Sequence, residues 1–391
     1  MTPKDIKRGL GLAAAAAALA IAVPHGAAAQ DTLKIGFAAA LTEYLAPYDQ
    51  PSLRGIELGV EEINAAGGIG GKTKIELLVK DTRSDTAQSG VAAQELIDEG
   101  VQFLVTSCDV DPSVAAGTIA QAAGIPAMSS CASTPTLPGI VGPFMFSNYT
   151  ADNLQAAVLA GYARDQGYQN AYILLSRDTP YTEKLPEYFA QVFQAKGGTL
   201  LGTGEYAMGQ QDFSAEVTKI KALDPQPDVI MTSAYEPDFP AFIKQLRAAG
   251  IAAPVLGSDG IDSPTTLGLG DVAEGVVYTN AGFPVPGTPL ADFYARYEAK
   301  YGEPLETTYA ATGYDIVKVL EAAVLAAGST DGKAIRDALD NLKDVQVATG
   351  TMTFAGRERV PLRTVTLIKV SSGQRVHLAS VNPDPADVPA P

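Results

Sequence analysis

Short apolar runs and amphipathic stretches alternate along almost the whole chain. "LKIGFAAAL" (33–41) has the near-continuous apolar character of a buried strand, and "SLRGIELGVEEINAAGGI" (52–69) repeats apolar residues at helical spacing until Gly67 and Gly68 end it. "KIELLVKDT" (74–82) predicts a second strand and "DTAQSGVAAQELIDEG" (85–100) a second helix. "VQFLVTS" (101–107) and "IPAMSS" (125–130) predict the third and fourth strands, with helix-like "PSVAAGTIAQAAG" between them. Strands spaced by helices imply βαβ units, hence parallel sheet covered on both faces.

The pattern then restarts. Helices are expected over 153–167, 181–198, 213–223 and 237–250, the last with Pro240 in its first turn. Strands are expected at "NAYILLSRD" (170–178), "TLLGTGEYA" (199–207), "PDVIMTSA" (227–234), "APVLGSDG" (253–260) and "GVVYTN" (275–280). "FPVPGTP" (283–289) reads as a linker, followed by helices near 290–301, 308–327 and 331–342. Residues 350–370 read as two short strands joined by a Gly-Arg turn, and 383–391 as a disordered tail. The economical architecture is α/β, with two doubly wound parallel sheets.

Open α/β sheets bind ligands in the crevice beyond the carboxyl ends of their strands. With two such sheets, a site belongs where the two rims face each other. That rule nominates Tyr44, Tyr48, Asp81 and Asp85, then Cys108 to Asp111 and Cys131 to Thr134. From the second half it nominates Asp178, Tyr181, Tyr235, Glu236, Ser258 and Asp259.

Composition narrows the setting. Lys4, Lys7 and Arg8 precede an apolar, Ala-rich run that ends at Pro24, and Ala27-Ala28-Ala29 offers small residues for cleavage. Residues 1–29 therefore read as a signal peptide, with a retained N-terminal anchor as the alternative, and a periplasmic location is expected. The formal charge of −16 leaves no basic patch for nucleic acid, so none is expected as a partner. Cys108 and Cys131 each stand one residue past a predicted strand end. Neighbouring strands lie about 4.8 Å apart, within reach of a disulfide, and export makes oxidation available. The pair is either a disulfide on the cleft rim or two unpaired buried thiols. A metal centre is not expected, since His377 is the one histidine beyond the leader. No cofactor is expected either.

Seven stretches, in this order, carry a family resemblance: "LRGIELGVEEINAAGGIGG", "VKDTRSD", "AGIPAMSSCASTP", "DTPYTEKL", "QQDFSAEVTKIKALDPQPDVI", "QLRAAG" and "GSDGI". Over residues 31–370 the chain resembles the Leu/Ile/Val-binding class of periplasmic substrate-binding proteins that serve ABC importers. The resemblance implies a type I periplasmic binding fold, with two lobes joined by a three-strand hinge. It places one lobe at 30–148 plus 281–348 and the other at 149–280 plus 349–382. It also implies that Cys131 and Ser133 stand where relatives grip an α-amino acid with hydroxyl and backbone groups. Asp259 stands where an acid holds the ammonium, and Tyr48, Tyr181 and Tyr235 where tyrosines close over the ligand. The implied partners are a small amino-acid-like solute and an ABC permease, with a monomer as default.

One stretch departs from that pattern. Relatives usually carry a hydroxyl residue and Gly where this chain has "CDVDP" (108–112). Asp111 before Pro112 reads as a helix N-cap, but Asp109 has no such structural use. Like charges about 4 Å apart at an effective dielectric near 20 cost about 4 kcal/mol, so Asp109 beside a ligand carboxylate would be repelled. Ser147 replaces a frequent Arg, and Glu43-Tyr44 a usual Gly-Pro. Either the aspartates point away, or the ligand presents an amine, amide or polyol to this rim; an aromatic acid is a further alternative. An enzyme is not expected: a Ser-His-Asp set is hard to assemble from one histidine, and "GGIGG" (67–71) ends a helix rather than cradling phosphate. A sensory ligand-binding protein of the same fold is the other non-enzymatic reading.

Overall fold

The computed structural model describes residues 31–391, so the signal peptide expected over 1–29 lies outside the described residues. The chain first lays down β1 (Asp31–Ala39), α1 (Ala46–Ala65), β2 (Thr73–Asp81), α2 (Thr86–Asp98), β3 (Phe103–Thr106), α3 (Val110–Ala123), β4 (Ala127–Ser129), α4 (Leu137–Val141) and β5 (Met145–Phe146). These strands form a five-stranded sheet of order β2-β1-β3-β4-β5, all parallel. Ile35 to Ala39 of β1 are buried without a break, as a central parallel strand covered on both faces requires. One face packs on α1 through Ile56, Val60 and Ile63; the other packs on α2 and α3 through Leu96, Ala116 and Ala120.

The second series runs α5 (Asp152–Asp165), β6 (Asn170–Leu175), α6 (Pro180–Ala195), β7 (Thr199–Glu205), α7 (Ser214–Lys221), β8 (Val229–Thr232), α8 (Asp238–Ala248), β9 (Val255–Gly257), α9 (Pro264–Leu267) and β10 (Val277–Asn280). The chain then returns to the first sheet with α10 (Pro289–Tyr301), α11 (Tyr309–Ala327), α12 (Gly332–Asp340) and the antiparallel pair β11 (Val345–Val347) and β12 (Gly350–Met352). It ends in β13 (Val365–Ser371) and β14 (Gln374–Val381), completing a seven-stranded sheet of order β14-β13-β10-β9-β8-β6-β7. The last two strands run antiparallel to their neighbours.

Several sequence expectations are corrected here. The two strands expected in 350–370 belong to different sheets: β12 pairs with β11, and β13 forms its hairpin with β14. β14 escaped the sequence reading because it is a half-wet edge, with Val376 and Leu378 exposed. Met352 and Phe354, beyond residue 348, pack in the first core with β1 and α1. The stretch 383–391, read as disordered, docks on α5 and α6, where Asn153 donates to the Pro389 carbonyl and Lys196 pairs with Asp387 at 2.7 Å.

α1 begins six residues before the expected start at 52, with Pro47 in its first turn and Pro51 inside it, which puts Tyr48 and Asp49 on a helix rather than a loop. α1 crosses α11 backbone to backbone. A Cβ on Gly55 would stand 1.7 Å from the Ala310 carbonyl oxygen, and one on Gly313 would stand 2.1 Å from that of Ser52. Glycine is obligatory at both positions, and the crossing sets the helix starts, with Tyr48 and Tyr309, side by side.

The crossovers are tied to one another. The buried Arg363 pairs with Asp315 at 3.0 Å and donates to the Asn148 carbonyl, while Tyr149 donates to Asn280 at 3.0 Å. Among the described residues no helix is long and apolar enough to cross a membrane.

Candidate functional site

In each sheet the strand order reverses at a point that opens a crevice, between β1 and β3 in the first and between β6 and β8 in the second. The loops leaving these strands meet across one cavity.

The first bank hangs on Asp49. Its carboxylate accepts from the Ala40 N–H at 2.8 Å, from Ser107 Oγ and from Ser130 Oγ at 2.9 Å, so the exits of β1, β3 and β4 share one buried acceptor. Burial pushes the Asp49 carboxyl up to about 6, against the pull of these donors. Cys108 and Cys131 form a disulfide between the exits of β3 and β4, with their Cα atoms 4.4 Å apart. The bank is thus braced both by a buried carboxylate and by a covalent bond.

Asp109, not Asp111, is the N-cap of α3. The helix starts at Val110, so Pro112 sits within the first turn, where no N–H is needed. Asp109 accepts from the Val110 N–H at 2.7 Å and, from the opposite bank, from Tyr235 Oη at 2.9 Å. It has a structural use after all, yet it also lines the cavity. Burial raises its carboxyl above the ordinary range.

The second bank is built around Gly260. A Cβ there would come within 2.7 Å of Tyr235 Cβ and 2.9 Å of Tyr181 Oη, so the bare backbone lets both rings close in. Tyr181, in the first turn of α6, accepts from the Gly260 N–H at 2.9 Å and faces Asp259 Oδ1 at 3.2 Å. Burial pushes the Asp259 carboxyl up to about 7, opposed by Gln155 and Tyr181. Behind Ser133 lies Asp152, whose Oδ2 accepts from Thr134 at 3.1 Å and whose buried Oδ1 has no hydrogen-bond partner. Burial pushes it up to about 8, the Ser133 and Thr134 hydroxyls oppose that, and Asp259 and Asp109 add to it.

Hydrogen bonds cross the gap. Tyr48 Oη donates to the Gly260 carbonyl at 3.1 Å and accepts from the Glu236 N–H at 3.2 Å, while Tyr309 Oη donates to the Asp259 carbonyl at 2.6 Å. The Tyr48 ring meets those of Tyr235 and Tyr309 edge-on, with centroids 6.1 and 5.2 Å apart. Tyr181 meets Tyr235 at 5.8 Å.

Tyr48, Asp109, Cys131, Ser133, Tyr181, Tyr235 and Asp259, all nominated from sequence, line this one cavity, as does Cys108. The two banks leave an enclosed space of only about 30 Å³ between them, so a solute gripped here must be small. Leu45 and Tyr309 also line it and were missed, because both belong to helix starts. Only the glycine-bearing faces of α1 and α11 hinted that these helix starts meet. Asp81, Asp85 and Asp178 do not line it: they hold the Leu41, Gln88 and Met208 N–H groups. None of the lining residues is Lys, Arg or His. No group of three or more metal-ligating side chains occurs among the described residues.

A family model described as periplasmic binding protein matches residues 32–375. Leu/Ile/Val-binding protein homolog 3 of Brucella melitensis is 28% identical over 353 residues, covering 90% of this chain and 95% of its own. Among solved structures, a leucine-binding protein LivK from Thermotoga maritima aligns with a TM-score of 0.83 at 25% identity, covering 90% of this chain and 99% of its own. The branched-chain amino acid transporter substrate-binding protein LivJ of Streptococcus pneumoniae, in complex with isoleucine, aligns with a TM-score of 0.80 at 26% identity, covering 89% and 100%.

Proposed function

Because the chain belongs to the periplasmic binding protein family, we propose that it captures a small solute between its two sheets and hands it to an ABC importer's permease. The periplasm is the expected compartment, and the chemistry is binding without turnover. The observation that carries this reading is the set of cross-gap bonds from Tyr48, Tyr235 and Tyr309, which hold the two banks together around a small-molecule cavity.

The mechanism follows from differential affinity. A solute that touches only one bank leaves the lobes free to part, whereas one that touches both favours the closed form by the extra contacts it makes there. Closure brings the surfaces of both lobes into a fixed relation, which is what a permease would read. The lobes meant here are 31–148 with 281–354 and 149–280 with 355–391, moving about the tied crossovers. Asp259 holds the ligand's ammonium, Ser133 offers a hydroxyl and the tyrosines cover the rest.

A thermal-shift screen of the refolded mature protein against amino acids, amides, amines, polyols and aromatic acids tests the reading. At least one class should raise the melting temperature, and Asp259→Asn should diminish that rise. A flat response across the whole library would overturn it.

A further inference from the structure

Resting on that reading, the cleft itself narrows the solute class. We propose that it selects a small organic cation that lacks a carboxylate, with Asp109 and Asp259 as counter-charges on opposite banks and tyrosine rings as walls.

Three observations converge. First, both places suited to a ligand carboxylate are already taken by the protein's own carboxylates. Asp109 caps the N-terminus of α3 and occupies its Val110 N–H, while Asp152 lies against Ser133 and Thr134 behind the β4 exit. An incoming carboxylate would find the Val110 N–H already taken at the first place and an acidic side chain already seated against the hydroxyls at the second. Second, no cation answers these acids from the cavity wall, which has neither Lys nor Arg. A cationic ligand would supply the positive charge that the wall lacks and favour the ionised form of both acids. Third, the hydroxyls of Tyr48, Tyr181, Tyr235 and Tyr309 are all engaged by Gly260, Glu236, Asp109 or Asp259. What the rings leave for a ligand is π surface, which attracts an ammonium and its alkyl groups together.

A matched trio separates the alternatives: 3-methylbutylamine, L-leucine and 4-methylpentanoate share a hydrocarbon skeleton and differ in charged groups. Titration calorimetry on the refolded mature protein would compare them, with 1,4-diaminobutane as a second amine. The proposal predicts that at least one amine binds ten-fold or more tightly than leucine and that the acid does not bind. Asp109→Asn should weaken the amine and strengthen leucine, closing most of that gap. Leucine binding as well as or better than both amines overturns the cation selection and leaves the solute-binding reading standing. If no member of the wider solute library binds either, that reading falls with it.

Discussion

The two banks of the cleft are built on different principles. On the first, a disulfide and a buried carboxylate fix the exits of β1, β3 and β4 to one another. On the second, Tyr181 and Asp259 hold their places through hydrogen bonds among neighbours and the bare backbone of Gly260, with no covalent tie. The first bank is thus held as a preformed surface, while the second rests on bonds that can be remade. A binding protein that must grip and then release benefits from this division: rigidity on one side keeps the ordering cost of binding low, and hydrogen bonds on the other are remade cheaply.

The sharpest way to break this contrast is Asp49→Ala. It strands the donors of Ala40, Ser107 and Ser130 in the interior, which should cost about 4 kcal/mol of stability, read as a lowered urea midpoint. A loss under 1 kcal/mol would show that the first bank does not depend on this brace. Replacing both cysteines by serine comes next, at about 3 kcal/mol for a loop of this length, with sequence separation 23. The double variant should still bind its solute, because Asp49 keeps the two loops in register.

Acidity probes both banks. Asp49, Asp259 and Asp152 are raised from 3.8 to about 6, 7 and 8. Asp259 is faced by Asp262, Tyr181 and Gln155, and Asp152 by Asp259, Asp109, Ser133 and Thr134. For a carboxyl raised in the folded state, the stabilisation is fully present below the unfolded value and lost as pH rises through the folded one. The unliganded protein should therefore be more resistant to urea at pH 5 than at pH 8, and Asp259→Asn should flatten part of that slope. The smallest expected effect is that of Tyr48→Phe, which removes one hydroxyl bridging the lobes. It should weaken binding by about 1 kcal/mol, roughly five-fold, while leaving the denaturation of the unliganded form nearly unchanged.

Ten of the residues that the strand-exit rule nominated line the cavity, because the rule depends only on where parallel strands end, and near-continuous apolar runs such as 33–41 mark that well. It was blind to Tyr309 and Leu45, which reach the cleft from helix starts. Their position depends on the close crossing of α1 and α11, a tertiary contact that Gly55 and Gly313 permit but do not announce. Asp109 was misread for a related reason: a helix can start two residues before a proline, and "CDVDP" fits either start. β14 was lost because an edge strand keeps half of its side chains wet and shows no buried run. The tail was read from composition, yet a few contacts with α5 and α6 suffice to place it.

Small-angle scattering tests the central claim, that the two banks close on a small solute. The mature protein, refolded to strip any carried ligand, would be measured alone and with the solute that most raises its melting temperature. The account predicts a smaller radius of gyration with the solute present and recovery of the larger one when the solute is dialysed away. An unchanged radius at saturating solute, with binding shown by calorimetry in the same sample, would contradict it.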